Sequence, residues 1–483
     1  MSYNSEDYFL SDEFKDVMKR FEDAGKNDQY ASLDSEELID IAEYYYNHGD
    51  IARAKDIVEK ALSIYPGSSA PLLFKARMAL LNKDNVTKAE YYTEQIEDKS
   101  DIEYFYMKAE ILLYEGKNKE ADKYLEEQYD IIDEDEKDDY LIDAAALLID
   151  YNDIEHAEKW LKRSEDVDSP EYKEQMARLM MGKGEYEKSK KLFNELIDEN
   201  PYSTHYWNEL ASTQFYSRNI EDSIRSSEYS IAINPKNSAA LLNKANGLYN
   251  LGNYEGALEY YKKYIKLCPD DDNGEMLIGF CCLLLDKYEE AIIHLKKAEQ
   301  LSPPQSPNLI DIYKDMAFAL CRLGRIKESM AVMDKTEKLC CNHNEMLIYR
   351  GNLLIGSGCL LESKKYFIQA IKSSGCSPYI FMRIAITVYE CGEPMISYKM
   401  FKILFRHYKD WHNGYAFFAA CCYELGKIDE FILNLNNAAL HTPKELKFLL
   451  GKLFPKDMDP KDYYQYILDK LKNKMRDSNQ HPS

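Results

Sequence analysis

The chain has 483 residues, 45% of them hydrophobic and 30% charged, with 20 glycines and 15 prolines. That is the composition of a soluble folded chain and excludes collagen-like and linker-rich architectures. The formal net charge of −23 argues against a nucleic-acid partner, because binding a phosphate backbone needs Lys and Arg to displace counterions. The acid is concentrated in residues 1–200, which hold 51 Asp and Glu against 26 Lys and Arg; the remainder holds 33 against 35. A solvated, self-repelling surface accounts for such a run, and so does a docking surface for a basic partner.

The first residues, MSYNSEDYF, lack the basic and apolar regions of a secretory leader. No stretch of about 18 apolar residues follows, so no membrane span is expected and the expected location is cytoplasmic. Residues 5–24 read as one acidic amphipathic helix, and residues 1–34 as an N-terminal cap. From Ser35 a skeleton begins that recurs near every 34 residues. In the first copy it is Ala42, Gly49, Ala54, Ala61 and Pro66. Around residue 238 it returns as Ala245, Gly252, Tyr254, Ala257, Tyr261 and Pro269. The physical sense is two antiparallel helices crossing closely. Small residues at positions 8 and 20 let the backbones approach, and glycine at 15 closes the first helix in a left-handed conformation. Proline at 32 ends the second helix.

Weaker copies keep the spacing with altered letters. The turn glycine is Asn152 in one and Arg218 in another, and position 20 is serine in several. Pro394 at position 17 of the eleventh copy predicts a locally irregular turn. The stretch DIIDEDEKDD (130–139) predicts a long solvated connection. Twelve copies span residues 35–441, followed by capping helices over 442–476, broken near Pro455 and Pro460, and a disordered tail at 477–483.

This pattern resembles the tetratricopeptide repeat family over about five-sixths of the chain. The resemblance implies an all-α, right-handed α-solenoid whose first helices line a concave face. Positions 2, 5, 6, 9, 12 and 13 of each repeat then point into a groove. In the middle of the chain these give a candidate peptide-binding set of Asn208, Phe215, Tyr216, Asn243, Asn246, Tyr249, Asn273 and Phe280. Asparagine amides donate and accept together and so suit a peptide backbone, and aromatic rings add contact area. The same residues would alternatively pack between neighbouring repeats. The family's carboxylate clamp is absent, because Lys314 at position 5 is followed by Phe318 and Tyr349 where the clamp needs asparagines.

All 11 cysteines fall between Cys268 and Cys422. Their odd number and adjacent pairs make a poor disulfide framework, so free thiols are expected. The nearest metal candidate, Cys340-Cys341-Asn342-His343, lacks a second ligand pair, so neither a metal nor a cofactor is expected. No nucleophile, phosphate-loop or metalloprotease motif occurs. With no residues left over for a catalytic domain, the chain is expected not to be an enzyme. The function expected is a non-catalytic scaffold that binds a peptide or partner protein of unidentified kind in the groove. A peptide-responsive regulator, and a structural subunit binding through its convex face, are the alternatives. Partner identity and oligomeric state are not legible.

Overall fold

The structure is a computed structural model and describes residues 8–9, 11–27, 30–47, 50–81, 86–304, 306–339 and 342–480. Among the described residues there is no strand. The chain forms antiparallel helical hairpins in succession, the α-solenoid class that the repeat implies. Helix α1 (Asp12–Asn27) precedes them. The hairpins then run α2 (Ser35–Asn47) with α3 (Ile51–Ile64), α4 (Ser69–Leu81) with α5 (Val86–Glu94), and α6 (Ile102–Tyr114) with α7 (Asn118–Tyr129). Next come α8 (Lys137–Asp150) with α9 (Ile154–Leu161), α10 (Pro170–Gly182) with α11 (Tyr186–Glu199), and α12 (Thr204–Tyr216) with α13 (Ile220–Ile233). They continue as α14 (Ser238–Asn250) with α15 (Tyr254–Leu267), α16 (Asp272–Leu284) with α17 (Tyr288–Leu301), and α18 (Asn308–Arg322) with α19 (Ile326–Leu339). The last three are α20 (His343–Gly356) with α21 (Leu360–Ser373), α22 (Pro378–Glu390) with α23 (Pro394–His407), and α24 (Tyr415–Glu424) with α25 (Ile428–His441). Two further helices follow, α26 (Pro443–Leu450) and α27 (Tyr463–Gln480), the second running past residue 476.

The chain divides into two compact bodies, residues 1–274 and 275–483. In the first, α1 buries Phe14, Val17, Phe21 and Ala24 with Leu38, Ile41 and Ala42 of α2. A larger core runs through the second to fifth hairpins, with Trp160 and Tyr140 fully buried at its centre. In the second body, the C-terminal core joins Phe401, Phe418, Phe431 and Leu435 to Tyr463 of α27.

The crossing of each hairpin explains its small residues. Ala42, Ala54, Ala245 and Ala257 are completely buried. Where position 20 is serine, the hydroxyl replaces a methyl without orphaning a polar atom. Ser223 Oγ donates to the Ala211 carbonyl at 2.7 Å, Ser329 to Ala317 at 2.8 Å and Ser397 to Ala385 at 2.7 Å. In these three the acceptor is the position-8 alanine of the facing helix, so serine stitches the hairpin where alanine only fits; Ser189 and Ser363 at the same position bond Thr213 Oγ1 and the Leu360 carbonyl instead.

The turns keep one geometry. Asn253 N donates to the Leu248 carbonyl at 2.9 Å and Gly252 N to Tyr249 at 3.0 Å, which closes α14 through a left-handed residue. Asn152 and Arg218 hold the same left-handed conformation at φ 58° and 65°, and so does Asp286 at 56°. Two of the sequence expectations change. Pro394 does not disturb its turn: it is the first residue of α23, where its missing N–H has no helical acceptor to lose. The acidic stretch is only in part a solvated connection, because α8 begins at Lys137. Asp138 accepts from Ser164 Oγ at 2.8 Å and from the backbone of Glu165 at 2.9 Å.

Candidate functional site: the face of the first helices

Helices α2, α4, α6, α8 and α10 each contact the next in line, so the first helices of the hairpins form a layer of their own in the first body. Positions 2, 5, 6, 9 and 13 of that layer carry a polar ladder that the sequence-derived candidate set leaves out, because that set is drawn from the middle repeats and includes none of the repeats before residue 200. Arg77 of α4 pairs with Glu103 at 2.7 Å and Glu110 at 3.6 Å, both on α6. The Tyr151 hydroxyl donates to Glu110 at 3.3 Å, and Tyr106 to Asp143 of α8 at 3.4 Å. Asp150 pairs with Arg178 of α10, and Glu174 of α10 meets His205 Nε2 of α12 at 2.9 Å. Each link joins one repeat to its successor.

The ladder is under-neutralised. Asp40, Glu43, Glu103, Glu110, Asp143, Asp150, Glu174 and Glu209 share the face with Arg77, Arg178 and His205. Desolvation by the surrounding protein pushes the carboxyls of Asp40, Glu43, Glu110 and Glu209 up, and that of Asp143 to about 6. Glu103 is the exception: desolvation raises it too, but the charge and hydrogen bond of Arg77 hold it below the usual range. Burial works against protonation of His205, and the Glu174 hydrogen bond overcomes it and raises its pKa. Among the described residues the Glu209 carboxylate has neither a hydrogen-bond nor an ion-pair partner, while its carbonyl accepts from Thr213 Oγ1 at 2.9 Å.

The eight residues singled out from the sequence divide. Asn208 is 8% exposed; its Nδ2 donates to Asn237 Oδ1 at 3.1 Å, while its own Oδ1 is buried without a partner. Asn243 Nδ2 reaches back to the Asn208 carbonyl and to Ser212 Oγ, both at 3.4 Å, bridging α14 to α12. Asn246 Oδ1 accepts from the Tyr261 hydroxyl at 2.7 Å. Tyr216 is 60% exposed with Phe215 edge-on at 5.9 Å, and Tyr249 lies edge-on to Tyr254 at 5.5 Å. Asn273 is exposed in the first turn of α16. Phe280 belongs to the second body and is half-buried there.

For the thiols, Cys281, Cys282, Cys321, Cys421 and Cys422 are buried, and none of the nine described cysteines is in a disulfide. Burial pushes Cys281 and Cys421 up to about 12. Cys340 and Cys341 lie outside the described residues, and His343 Nδ1 pairs with Glu337 at 2.7 Å. Among the described residues no three His, Cys, Asp or Glu side chains converge as a metal site, and no helix is long and apolar enough to cross a membrane.

With this geometry in place, comparisons with known proteins add names. Residues 216–298 match the family model of the anaphase-promoting complex, cyclosome, subunit 3. Two curated relatives are protein O-mannosyl-transferase TMTC3 of Homo sapiens, 24% identical over 175 residues, and of Mus musculus, 25% identical over 174. Each match covers 34% of this chain and 19% of the relative, so the chain spans about a fifth of the length of those proteins. Similar solved structures include YrrB, a TPR protein with an unusual peptide-binding site (14% identity, 37% of this chain and 91% of that one, TM-score 0.33). Another is MamA (19% identity, 34% and 95%, TM-score 0.31). The expectation that the chain is not an enzyme is corrected by the curated relatives, which are named as transferases.

Proposed function

We propose that this chain, a tetratricopeptide-repeat protein, is a protein–protein interaction scaffold whose first-helix face in residues 35–250 docks an extended, basic segment of a partner. One observation carries the reading: a continuous row of carboxylates on that face, several with raised pKa values, matched by only two arginines and one histidine. A Lys- or Arg-rich segment lying along the row would supply the missing charge, and each pairing would be stronger there than on an open surface. The unpartnered Oδ1 of Asn208 adds an acceptor for a donor that the partner brings. Tyr216 and Tyr249 offer rings for the aliphatic stems of long cationic side chains. The bridging roles of Asn243 and Asn246 shift weight from an asparagine-lined groove to a carboxylate-lined one.

The test is fluorescence anisotropy with a labelled Lys/Arg-rich peptide and its Glu-substituted counterpart. The basic peptide should bind saturably, weaken as salt rises from 50 to 500 mM, and lose about tenfold in affinity to the variant carrying Asp143→Asn and Glu209→Gln. Equal binding of both peptides, or no effect of the variant, would remove this reading. The curated relatives support a second reading, in which the repeats hold a polypeptide acceptor for mannosyl transfer. Transfer of label from a mannose donor to a captured polypeptide, dependent on this chain, would be its signature.

A further inference from the structure

Away from the carboxylate row, the first body has a cavity of about 280 Å³ walled by α3, α4 and α5. Its floor is apolar: Val58 of α3, and Phe74, Met78 and Ala79 of α4. Val58, Phe74 and Ala79 belong to the buried core, so the cavity reaches through the outer layer of side chains. Met78 is half-buried, and its flexible thioether can adjust to what enters. The walls differ in length. Helix α5 has 9 residues where α3 has 14, and it lines the cavity through Lys88 and Tyr92.

The rim is cationic. Lys55 of α3, Lys75 of α4 and Lys88 of α5 converge on it from three helices, with Glu59 as the single acid in the lining. Lys75 pairs with Glu59 at 2.6 Å and stands 5.1 Å over the Tyr92 ring. Lys55 and Lys88 are exposed and have no hydrogen-bond or ion-pair partner among the described residues. Three ammoniums against one carboxylate is a local excess of cation, and residues 51–100, which build the cavity, are themselves close to neutral with 8 Lys and Arg against 7 Asp and Glu. The acidic background is screened beyond about 8 Å at physiological salt, so at the rim the local lysines decide which ions are held.

We propose that this cavity is a binding site for a small amphiphilic anion: a single carboxylate head on an aliphatic tail of about eight to ten carbons. The volume lies just below the range of small-molecule pockets, about 300–1,000 Å³, and accommodates such a tail but not a drug-sized or sterol-sized body. The tail lies on Phe74, Met78 and Ala79, and the head sits at the rim between Lys55 and Lys88. An uncharged chain of the same length gains the same apolar contact and forgoes the two charge-assisted contacts. A cationic head is repelled. This site is distinct from the docking face proposed above: α4 contributes to both, but no residue of the carboxylate ladder, Arg77 included, lines the cavity.

The experiment is calorimetric titration of the full chain with decanoate, with decanol as the uncharged control. One equivalent of decanoate should bind saturably, about tenfold tighter than decanol. The double variant Lys55→Gln, Lys88→Gln changes only exposed side chains and should keep its helicity by circular dichroism while losing about tenfold in decanoate affinity. Ala79→Leu, which fills the floor, should abolish binding of both probes. Unsaturable uptake, equal affinity for decanoate and decanol, or a double variant that binds as well as the parent would each overturn the assignment.

Discussion

Asn246 of α14 accepts a hydrogen bond from the hydroxyl of Tyr261 on α15 at 2.7 Å, which ties the two helices of the seventh hairpin together beside the small residues at their crossing. Tyr261 is 1% exposed. Replacing Asn246 by Ala removes that acceptor from a buried hydroxyl and should lower stability by about 1 kcal/mol. Asn243→Ala breaks the bridge to α12 and should cost roughly half as much, because both of its contacts are long at 3.4 Å. Chemical denaturation of each single variant checks this; unchanged midpoints would return both side chains to the role of free groove ligands.

Arg77 is the cation on which three carboxylates of the ladder depend. Arg77→Ala should destabilise the first body by about 1–3 kcal/mol at pH 7, since Glu103, Glu110 and Glu43 are left without compensation. The Glu103 carboxyl is held low in the folded protein, so the stability it contributes is present above its unfolded pKa and is lost as pH falls. The deficit of the variant should therefore shrink between pH 7 and pH 4. Thermal melts across that range measure it, and a deficit constant with pH would show that packing, not charge, is what Arg77 supplies.

Asp315 on α18 behaves in the opposite sense. Burial pushes its carboxyl up to about 7 from 3.8, and among the described residues it has no hydrogen-bond partner. A raised acid favours the folded state's proton: no penalty exists below the unfolded pKa, and it grows as pH rises towards 7. Asp315→Asn should therefore melt like the parent at pH 4 and gain on the order of 1 kcal/mol by pH 8. A gain of equal size at both pH values would sink the titration account.

Arg218 closes α12 at φ 65°, where an L side chain is strained. Arg218→Gly should raise stability by about 0.5–1 kcal/mol, net of glycine's greater freedom in the unfolded chain. Differential scanning calorimetry reads this directly. A loss instead of a gain would mean that the exposed arginine makes contacts worth more than the strain.

The hairpins were legible because a close helix crossing admits few residue types: Ala42 and Ala54, or Ala245 and Ala257, announce it by identity alone. Serine at position 20 also reads correctly as a small residue, although its bond to the facing carbonyl needs coordinates to see. Pro394 was misread because its meaning depends on one residue of register; inside a turn it distorts, and at a first helical position it fits. The ladder from Arg77 to His205 was the least legible. Its paired members are 26 to 41 residues apart in the chain, and a glutamate facing the next repeat has the same letter as one facing water. Asn243 and Asn246 show the converse, a polar pair at groove positions whose bonds run sideways and back into the fold.

The segregation of sulfur and indole along the chain gives the two bodies separate native reporters. Ten of the 11 cysteines lie beyond residue 274, whereas Trp160 and Trp207 lie before it and only Trp411 after. Buried thiols with raised pKa values react slowly until the surrounding helices part. Pulsed alkylation read by mass spectrometry thus times the opening of residues 275–483, while indole emission of the Trp411→Phe variant follows residues 1–274. Whether the bodies unfold together or in sequence can be resolved with the cysteines and tryptophans the chain already carries, with no engineered reporter residue.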